Sequence, residues 1–252
     1  MSGSYRVGAA FRKRGALARL SDLIWPPRSL LSDAIVDRPG VIEPALWSEL
    51  SFITDPTCFR CGFPLPDDPG GEAVCGVCAG APPAYDRARA ALVYDDHARK
   101  LVLDLKRGGR RDGLPVFAGW MAAAAAPLLA EADFLAPAPM HWTRLAHRSF
   151  NQAAWLAQAL SLATGKPWKP GALRRVKRRR SQEGLSAAER RRNVGGAIKA
   201  GRFTGATVIV VDDVLTTGAT LEACARALRK AGAAKVHAVT LARVVRPMDI
   251  SL

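Results

Sequence analysis

Two adjacent aspartates and the threonine- and glycine-rich run behind them are the residues of this chain best suited to chemistry. Asp212 and Asp213 follow an apolar run over 208–211, and the run behind them is Thr216, Thr217, Gly218, Ala219 and Thr220. Such a turn at a helix start offers free backbone N–H groups and hydroxyls to an anion. The carboxylates would repel a bare phosphate but suit hydroxyl groups or Mg²⁺. The pattern therefore predicts a site for a ligand that carries a phosphate beside a diol, such as a ribose 5-phosphate.

The simpler interpretation of this motif is a strand terminus followed by a helix cap. The turn contains no lysine, which excludes the GxxxxGK[ST] loop of nucleoside triphosphatases, and it does not match GxGxxG. Two adjacent acids and TTGAT directly after a buried apolar run favour the ligand site.

Four cysteines form the second chemical pattern. Cys58 and Cys61 make one C-x2-C pair, and Cys75 and Cys78 make another. This spacing is typical of two zinc knuckles that meet at one tetrahedral ion. Disulfides or a redox CxxC are the alternatives, but two matched pairs in a segment rich in proline and glycine, with no secretory signal, favour one structural zinc. The fifth cysteine, Cys224, is interpreted as core packing in a helix.

A weaker repeat precedes the cysteines. Its positions correspond in order to the two cysteine pairs and are Ser29, Ser32, Glu43 and Leu46. Without thiolates this copy cannot form a four-cysteine site, so we interpret it as a degenerate, metal-free ribbon. We expect packing to hold it through Leu30, Leu31, Ile42 and Trp47. A chance likeness in a stretch rich in proline and glycine is the alternative.

The elements that must position these residues alternate between short apolar runs and amphipathic segments. We predict strands over 90–94, 133–136, 208–211 and 235–241, and helices over 97–106, 114–130, 151–163 and 221–231. This alternation predicts an α/β fold with a parallel sheet flanked by helices. Ligands of such sheets bind at the carboxyl ends of the strands, where the aspartates are expected.

Composition and charge narrow the class of protein. The 252 residues, 49% of them hydrophobic, are enough for one core and a small appendage. No run approaches the ~20 apolar residues of a membrane span, and residues 1–22 form a basic leader without the apolar core of a secretory signal, so we expect a cytoplasmic protein. The net charge of +15 is concentrated in runs over 106–111, 174–180 and 190–192. These runs are either solvated loops or surfaces that attract nucleic acid or a phosphorylated ligand.

Together the motifs resemble the ComF family of bacterial competence-associated proteins, which join a double zinc ribbon to a type I phosphoribosyltransferase-like domain. The resemblance runs from about Leu23 to Arg243 and includes Lys106 and the segments 137–152 and 181–193. The family has a glycine where this chain has Ser149. It also has cysteines at the four positions of the degenerate repeat.

The resemblance implies that the ligand is phosphoribosyl pyrophosphate (PRPP) with Mg²⁺. Asp212 and Asp213 would be the catalytic pair on the ribose hydroxyls, and the loop over 216–220 would bind the 5′-phosphate. A pyrophosphate loop and a flexible closing segment over 174–193 would supply the other contacts, from Met140, His141, Arg144, Arg148, Gln182, Arg190 and Asn193. The domains would be a metal-free ribbon repeat over 23–50, a four-cysteine zinc ribbon over 51–84, and a phosphoribosyltransferase-like domain over 85–252.

Three functions remain open at this point. The first is Mg²⁺-dependent transfer of a phosphoribosyl group to an unknown acceptor with release of pyrophosphate. The second is a sensor of PRPP or a nucleotide without turnover. The third is a nucleic-acid-associated adaptor in DNA uptake or repair, whose partners would be single-stranded DNA or the DNA-uptake machinery.

Overall fold

The structure is a computed structural model that describes residues 26–32, 34–68, 70–107, 110–140, 150–176 and 198–245. Its strands are β1 Arg87–Val93, β2 Phe134–Pro137, β3 Leu173–Arg175, β4 Ile198–Ala200, β5 Thr207–Leu215 and β6 Lys235–Arg243. The order β1-β6-β5-β2 forms one sheet in which every pairing is parallel. This confirms the predicted parallel sheet and places β5 between two neighbours.

The helices are α1 Pro44–Trp47, α2 Gly76–Gly80, α3 Asp96–Lys106, α4 Leu114–Ala124, α5 Ala126–Glu131, α6 Gln152–Thr164 and α7 Ala219–Lys230, with a 3₁₀ turn over Arg111–Gly113. Local capping sets two of the starts. The Asp95 side chain accepts a hydrogen bond from the Ala98 N–H at 2.9 Å, and the Asn151 side chain accepts one from the Ala153 N–H at 3.0 Å. Within the described part of the chain, no helix is both long and apolar enough to cross a membrane.

The sheet separates two apolar cores because successive residues of β5 alternate between its faces. Val208 and Val210 belong to a core that also contains α7 and the four paired cysteines. Ile209 and Val211 belong to the opposite core, which packs α3, α4 and α6. Cys224 is fully buried in the first core, which confirms that it is a packing residue.

Three expectations about the elements were wrong. The helix predicted over 114–130 is two helices that meet at Ala125, because Pro127 lacks an N–H and its ring clashes with the preceding turn. The strand predicted to end at Val211 continues through both aspartates, because β6 runs beside it and pairs as far as Leu215. The start of the predicted flexible segment, at Arg174, instead lies in β3, which pairs antiparallel with β4. Residues 177–193 of that segment and the basic leader lie outside the described residues.

Candidate functional site

The two aspartates occupy different environments at the carboxyl end of β5. Asp213 is only 6% exposed; its Oδ2 accepts a hydrogen bond from Gln152 Nε2 at 2.9 Å and forms an ion pair with Lys106 Nζ at 3.2 Å. Asp212 Oδ1 accepts a hydrogen bond from the backbone N–H of Asp213 at 2.9 Å. Asp213 is thus held in place by two side chains from distant elements, whereas the second carboxylate oxygen of Asp212 accepts no hydrogen bond within the described residues.

The electrostatics of the pair favour a cationic or hydroxyl-bearing ligand. Burial and the nearby charge of Asp213 together raise the pKa of Asp212 to about 7, although Lys106 and Arg175 act in the opposite direction. Asp212 therefore holds its proton to a higher pH than an ordinary aspartate does. A bound cation would favour the ionised form, and a ribose hydroxyl could donate to it.

The five loop residues surround a small cavity beside Asp212. The cavity has a volume of about 50 Å³ and is lined by Asp212 and the residues from Val214 to Leu221. Gly218 adopts φ +76° at the start of α7, a left-handed conformation that favours glycine. The Glu222 N–H donates to the Gly218 carbonyl at 2.8 Å, so the N–H groups over 219–221 precede this first helical hydrogen bond. The helix N-terminus and its positive dipole end therefore face the cavity.

The remaining predicted site residues lie after β2 and in the basic segment. Met140 is half-buried, just past the end of β2. The others are outside the described residues: His141, Arg144, Arg148, Gln182, Arg190 and Asn193. The structure thus brings Asp212 and the loop over 216–220 together, and the roles of the others stay predictions.

Three residues of the site were given no role of their own from the sequence, although Lys106 and the segment over 137–152 were part of the family resemblance. Gln152 and Lys106 hold Asp213, and Gln152 Oε1 is buried without a hydrogen-bond partner among the described residues. Asn151 Nδ2 donates to the Ala138 carbonyl at 3.0 Å, which ties the loop after β2 to the start of α6. An asparagine at a helix start is a local pattern that can be recognised in the sequence. The contacts of Gln152 and Lys106 with Asp213 join distant parts of the chain and cannot be recognised in this way.

The four paired cysteines form a compact cluster in which all are buried. Their sulfur atoms lie within 4.8 Å of one another, and Cys61 Sγ is 3.7 Å from Cys75 Sγ. A tetrahedron with zinc–sulfur bonds of ~2.3 Å has edges of about 3.8 Å. The Cys58 sulfur accepts from the N–H groups of Cys61 at 3.5 Å and Cys75 at 3.3 Å. The donor set and its spacing therefore fit one structural zinc ion.

The corresponding positions of the first ribbon half form a hydrogen-bonded cluster. The hydroxyls of Ser29 and Ser32 both donate to the Glu43 carboxylate. The Ser29 hydroxyl also accepts from the Leu31 N–H at 3.2 Å. These hydrogen bonds hold the pKa of Glu43 below its usual value.

The first ribbon half was predicted to be held by the packing of four apolar side chains, and three of them do pack in the core. Leu30 and Leu31 are buried, and Ile42 packs partly buried against the same core. Trp47 is instead 48% exposed and contacts the rings of Phe52 and Trp120, with centroids 5.7 and 5.6 Å away. Trp47 therefore belongs to a surface aromatic cluster rather than to the core.

Comparison with known proteins finds one match that contains the cysteine cluster and another that contains the aspartates. A family model described as a double zinc ribbon domain matches residues 20–79, and one described as a phosphoribosyl transferase domain matches residues 147–247. Competence protein F of Haemophilus influenzae is 37% identical over 115 residues, which cover 44% of this chain and half of that protein's length. DNA utilization protein YhgH of Salmonella typhimurium is 31% identical over 202 residues, covering 75% of this chain and 84% of the relative. YhgH of Escherichia coli K12 is 30% identical over 199 residues, covering 76% of this chain and 86% of the relative.

The sheet, the cysteine cluster and the matched domains define a class of protein in which a double zinc ribbon is joined to a phosphoribosyltransferase-type α/β domain. The chain covers more than two thirds of relatives at least 30% identical to it, and it belongs to the ComF family. The predicted family and fold class are therefore confirmed.

Proposed function

We propose that this protein, in the cytoplasm, binds PRPP with Mg²⁺ at the carboxyl end of β5 and transfers its phosphoribosyl group to an acceptor. The observation that carries the proposal is the cavity in which the N-terminus of α7 and the loop over 216–220 meet Asp212. A phosphate in that loop would accept from backbone N–H groups, and the ribose diol would then donate to the aspartates.

Transfer by this site would be a substitution at the ribose C1. The bond from C1 to the pyrophosphate oxygen breaks and its electron pair leaves with pyrophosphate, while an acceptor lone pair forms the new bond to C1 and the acceptor then loses a proton. Bound Mg²⁺ would offset the negative charge that develops on pyrophosphate. Lys106 and Gln152 would keep Asp213 oriented during the reaction, because both contact its Oδ2.

The roles of the loop after β2 and of the predicted closing segment complete the proposal. Arg144 and Arg148 would stabilise the departing pyrophosphate together with Met140 and His141, since a pyrophosphate carries several negative charges. Gln182, Arg190 and Asn193 would close over PRPP.

Calorimetric titration of PRPP with Mg²⁺ tests the binding step. We expect wild type to bind and an Asp212→Asn/Asp213→Asn variant to lose binding, while Asp96→Asn, an exposed aspartate at the start of α3, keeps it. Equal binding by wild type and the double variant would contradict the assignment of the site.

Release of pyrophosphate then separates a transferase from a sensor. We expect release from PRPP in the presence of one member of a panel of nucleobases and amines. Tight PRPP binding without release across the panel would leave the ligand site intact and favour the sensor.

A second function, association with nucleic acid, is favoured by the charge of the chain and by the names of its relatives. The net charge is +15, and Arg107 in the first basic run has a side chain that is 76% exposed. We expect binding of single-stranded DNA whose log affinity falls linearly with log salt, by ~0.7 for each phosphate neutralised. A flat salt response would contradict this second function.

A further inference from the structure

A second and larger cavity lies between the four-cysteine ribbon and the loop over 216–220, hereafter the phosphate loop. Its volume is about 290 Å³. One wall is formed by the loop from Leu215 to Gly218, and the opposite wall by Phe63, Val77 and three of the cysteines. The volume is just below the usual range for small-molecule sites, ~300–1,000 Å³, and suits one ring system rather than an extended ligand.

Two buried polar side chains line this cavity with unused hydrogen-bonding groups. Tyr85 is 5% exposed, and its hydroxyl has no hydrogen-bond partner among the described residues. Arg243 is 7% exposed; its Nη1 donates to the Cys61 carbonyl, whereas neither Nη2 nor Nε has a partner within the described ranges. Arg243 Nε is fully buried, whereas the Tyr85 hydroxyl and Arg243 Nη2 are not, so these two groups are free to donate to a ligand in the cavity.

The charges around the cavity decide which ligand fits. Four thiolates and one zinc ion carry a net charge of about −2. Glu222 adds a further negative charge, although its oxygens accept from the Ala84 N–H at 2.7 Å and from Arg226 at 2.6 Å. The guanidinium of Arg243 in the wall offsets one of these charges, so the balance around the cavity stays negative and disfavours an anion such as a phosphate. A neutral ring with carbonyl oxygens would accept from Arg243 and Tyr85 and pack against the apolar wall.

The cavity is separate from the aspartate site. Asp212 lines the smaller cavity, and neither aspartate is among the residues that line the larger one. The two cavities share the loop residues from Leu215 to Gly218, so they are neighbours on one loop. They differ in their other walls, because only the smaller cavity has an aspartate and only the larger one has Arg243, Tyr85 and the cysteines.

We propose that the cavity between the four-cysteine ribbon and the phosphate loop is a binding site for a neutral nucleobase, held by Arg243 and Tyr85. The proposal does not require that the aspartate site binds PRPP. A free nucleoside and a base within a single strand present the same ring to these residues.

Titration of deoxyuridine and deoxyguanosine into the zinc-loaded protein, without PRPP, tests the proposal. We expect at least one to bind, with affinity about fivefold weaker in Tyr85→Phe and about tenfold weaker in Arg243→Met, since a neutral and a charged hydrogen bond are removed. Tyr94→Phe and the exposed Arg202→Met are matched controls and keep full affinity. Zinc content is measured for each variant, because Arg243 also donates to the Cys61 carbonyl and its loss could disturb the ribbon. Tyr85→Phe removes only a hydroxyl and so tests the cavity without that contact.

The outcomes separate this site from the aspartate site. Asp212→Asn/Asp213→Asn keeps nucleoside binding if the cavity is the site, and ribose 5-phosphate does not displace the nucleoside. Four results would each overturn the proposal: loss of binding in that variant, displacement by ribose 5-phosphate, unchanged affinity in both Tyr85→Phe and Arg243→Met, or no binding of either nucleoside.

A short oligodeoxyuridylate identifies the source of the base. If it binds more tightly than deoxyuridine, with the same dependence on Tyr85, the base belongs to a single strand; equal affinity identifies the free nucleoside.

Discussion

The two halves of the zinc ribbon domain occupy equivalent sequence positions with opposite chemistry. In the second half four buried thiols lie close enough to share one ion. In the first half two serine hydroxyls donate to the carboxylate of Glu43, and Leu46 takes the last position. The halves also pack into opposite cores, since Leu30 and Leu31 lie with α3 and α4, whereas the cysteines lie with α7.

This difference shows what replaces a metal when its ligands are lost. A thiol is a weak hydrogen-bonding group, so the cysteine cluster has little to hold it together without an ion. Serine and glutamate can instead satisfy one another directly, and the buried leucines beside them add apolar contact. We infer that the first half depends on hydrogen bonds and packing, and the second on zinc.

Removal of zinc is expected to have the largest effect. Structural zinc contributes ~10–16 kcal/mol in zinc-finger peptides, so Cys58→Ser or Cys75→Ser should abolish zinc binding and unfold the second half. Metal analysis should give about one zinc per chain in wild type and almost none in the variants, with new proteolytic cleavage over 58–78. Cys224→Ala is the matched control and should keep its zinc, because this cysteine lies in the core of α7. Two zinc ions in wild type, or a fully protected apoprotein, would contradict the comparison.

Restoring the cysteines should convert the first half to the chemistry of the second. The quadruple variant Ser29→Cys/Ser32→Cys/Glu43→Cys/Leu46→Cys should bind a second zinc ion, since the side chains at 29 and 32 already converge on position 43. Metal analysis checks the stoichiometry, and the triple variant that keeps Leu46 is the control with weaker binding. A stoichiometry that stays at one would mean that the backbone of the first half has lost the ribbon geometry as well as the ligands.

Loss of one serine should have a smaller effect, confined to the first half. Ser29→Ala leaves the Leu31 N–H and one Glu43 oxygen without this partner and should lower the free energy of unfolding by about 1 kcal/mol. Ser32→Ala should cost less, because Ser29 is fully buried and Ser32 is not. Denaturant unfolding measures both, and zinc content should not change in either. A loss of zinc would show that the halves are not independent.

The parts of this molecule that were predicted from sequence are those set by local patterns. The C-x2-C spacing is enough to bring Cys58 and Cys61 together, and a glycine at a strand-to-helix turn marks the start of α7. The break at Ala125 also has a local signal, Pro127, which interrupts the apolar stretch over which a single helix was predicted.

The parts that could not be predicted depend on residues far apart in the chain. The extension of β5 through its aspartates is set by the length of β6, and the contacts of Asp213 come from α3 and α6. The repeat likewise identified the positions of Ser29 and Glu43 but not that they hydrogen-bond to each other. The predicted domain boundaries at 50/51 and 84/85 stay predictions.

The smallest expected effect is a pH dependence confined to the first half. The serine hydrogen bonds lower the pKa of Glu43 in the folded protein, so the carboxylate binds protons less readily there than in the unfolded chain. The stabilisation is therefore fully present above the unfolded pKa, near 4.5, and is lost as the pH falls through the lower folded value. Unfolding measured from about pH 6 downward should show this loss in wild type and a weaker one in Glu43→Gln, whose amide does not titrate.

Zinc release from the thiolates also occurs in acid, so the zinc content of both proteins has to be equal at each pH of this comparison. Ser29→Ala lacks one of the two serine hydrogen bonds and should show an intermediate dependence on pH. An identical pH profile in wild type and Glu43→Gln would mean that the serine–glutamate cluster adds no charge-dependent stability, and that apolar packing alone has replaced the metal.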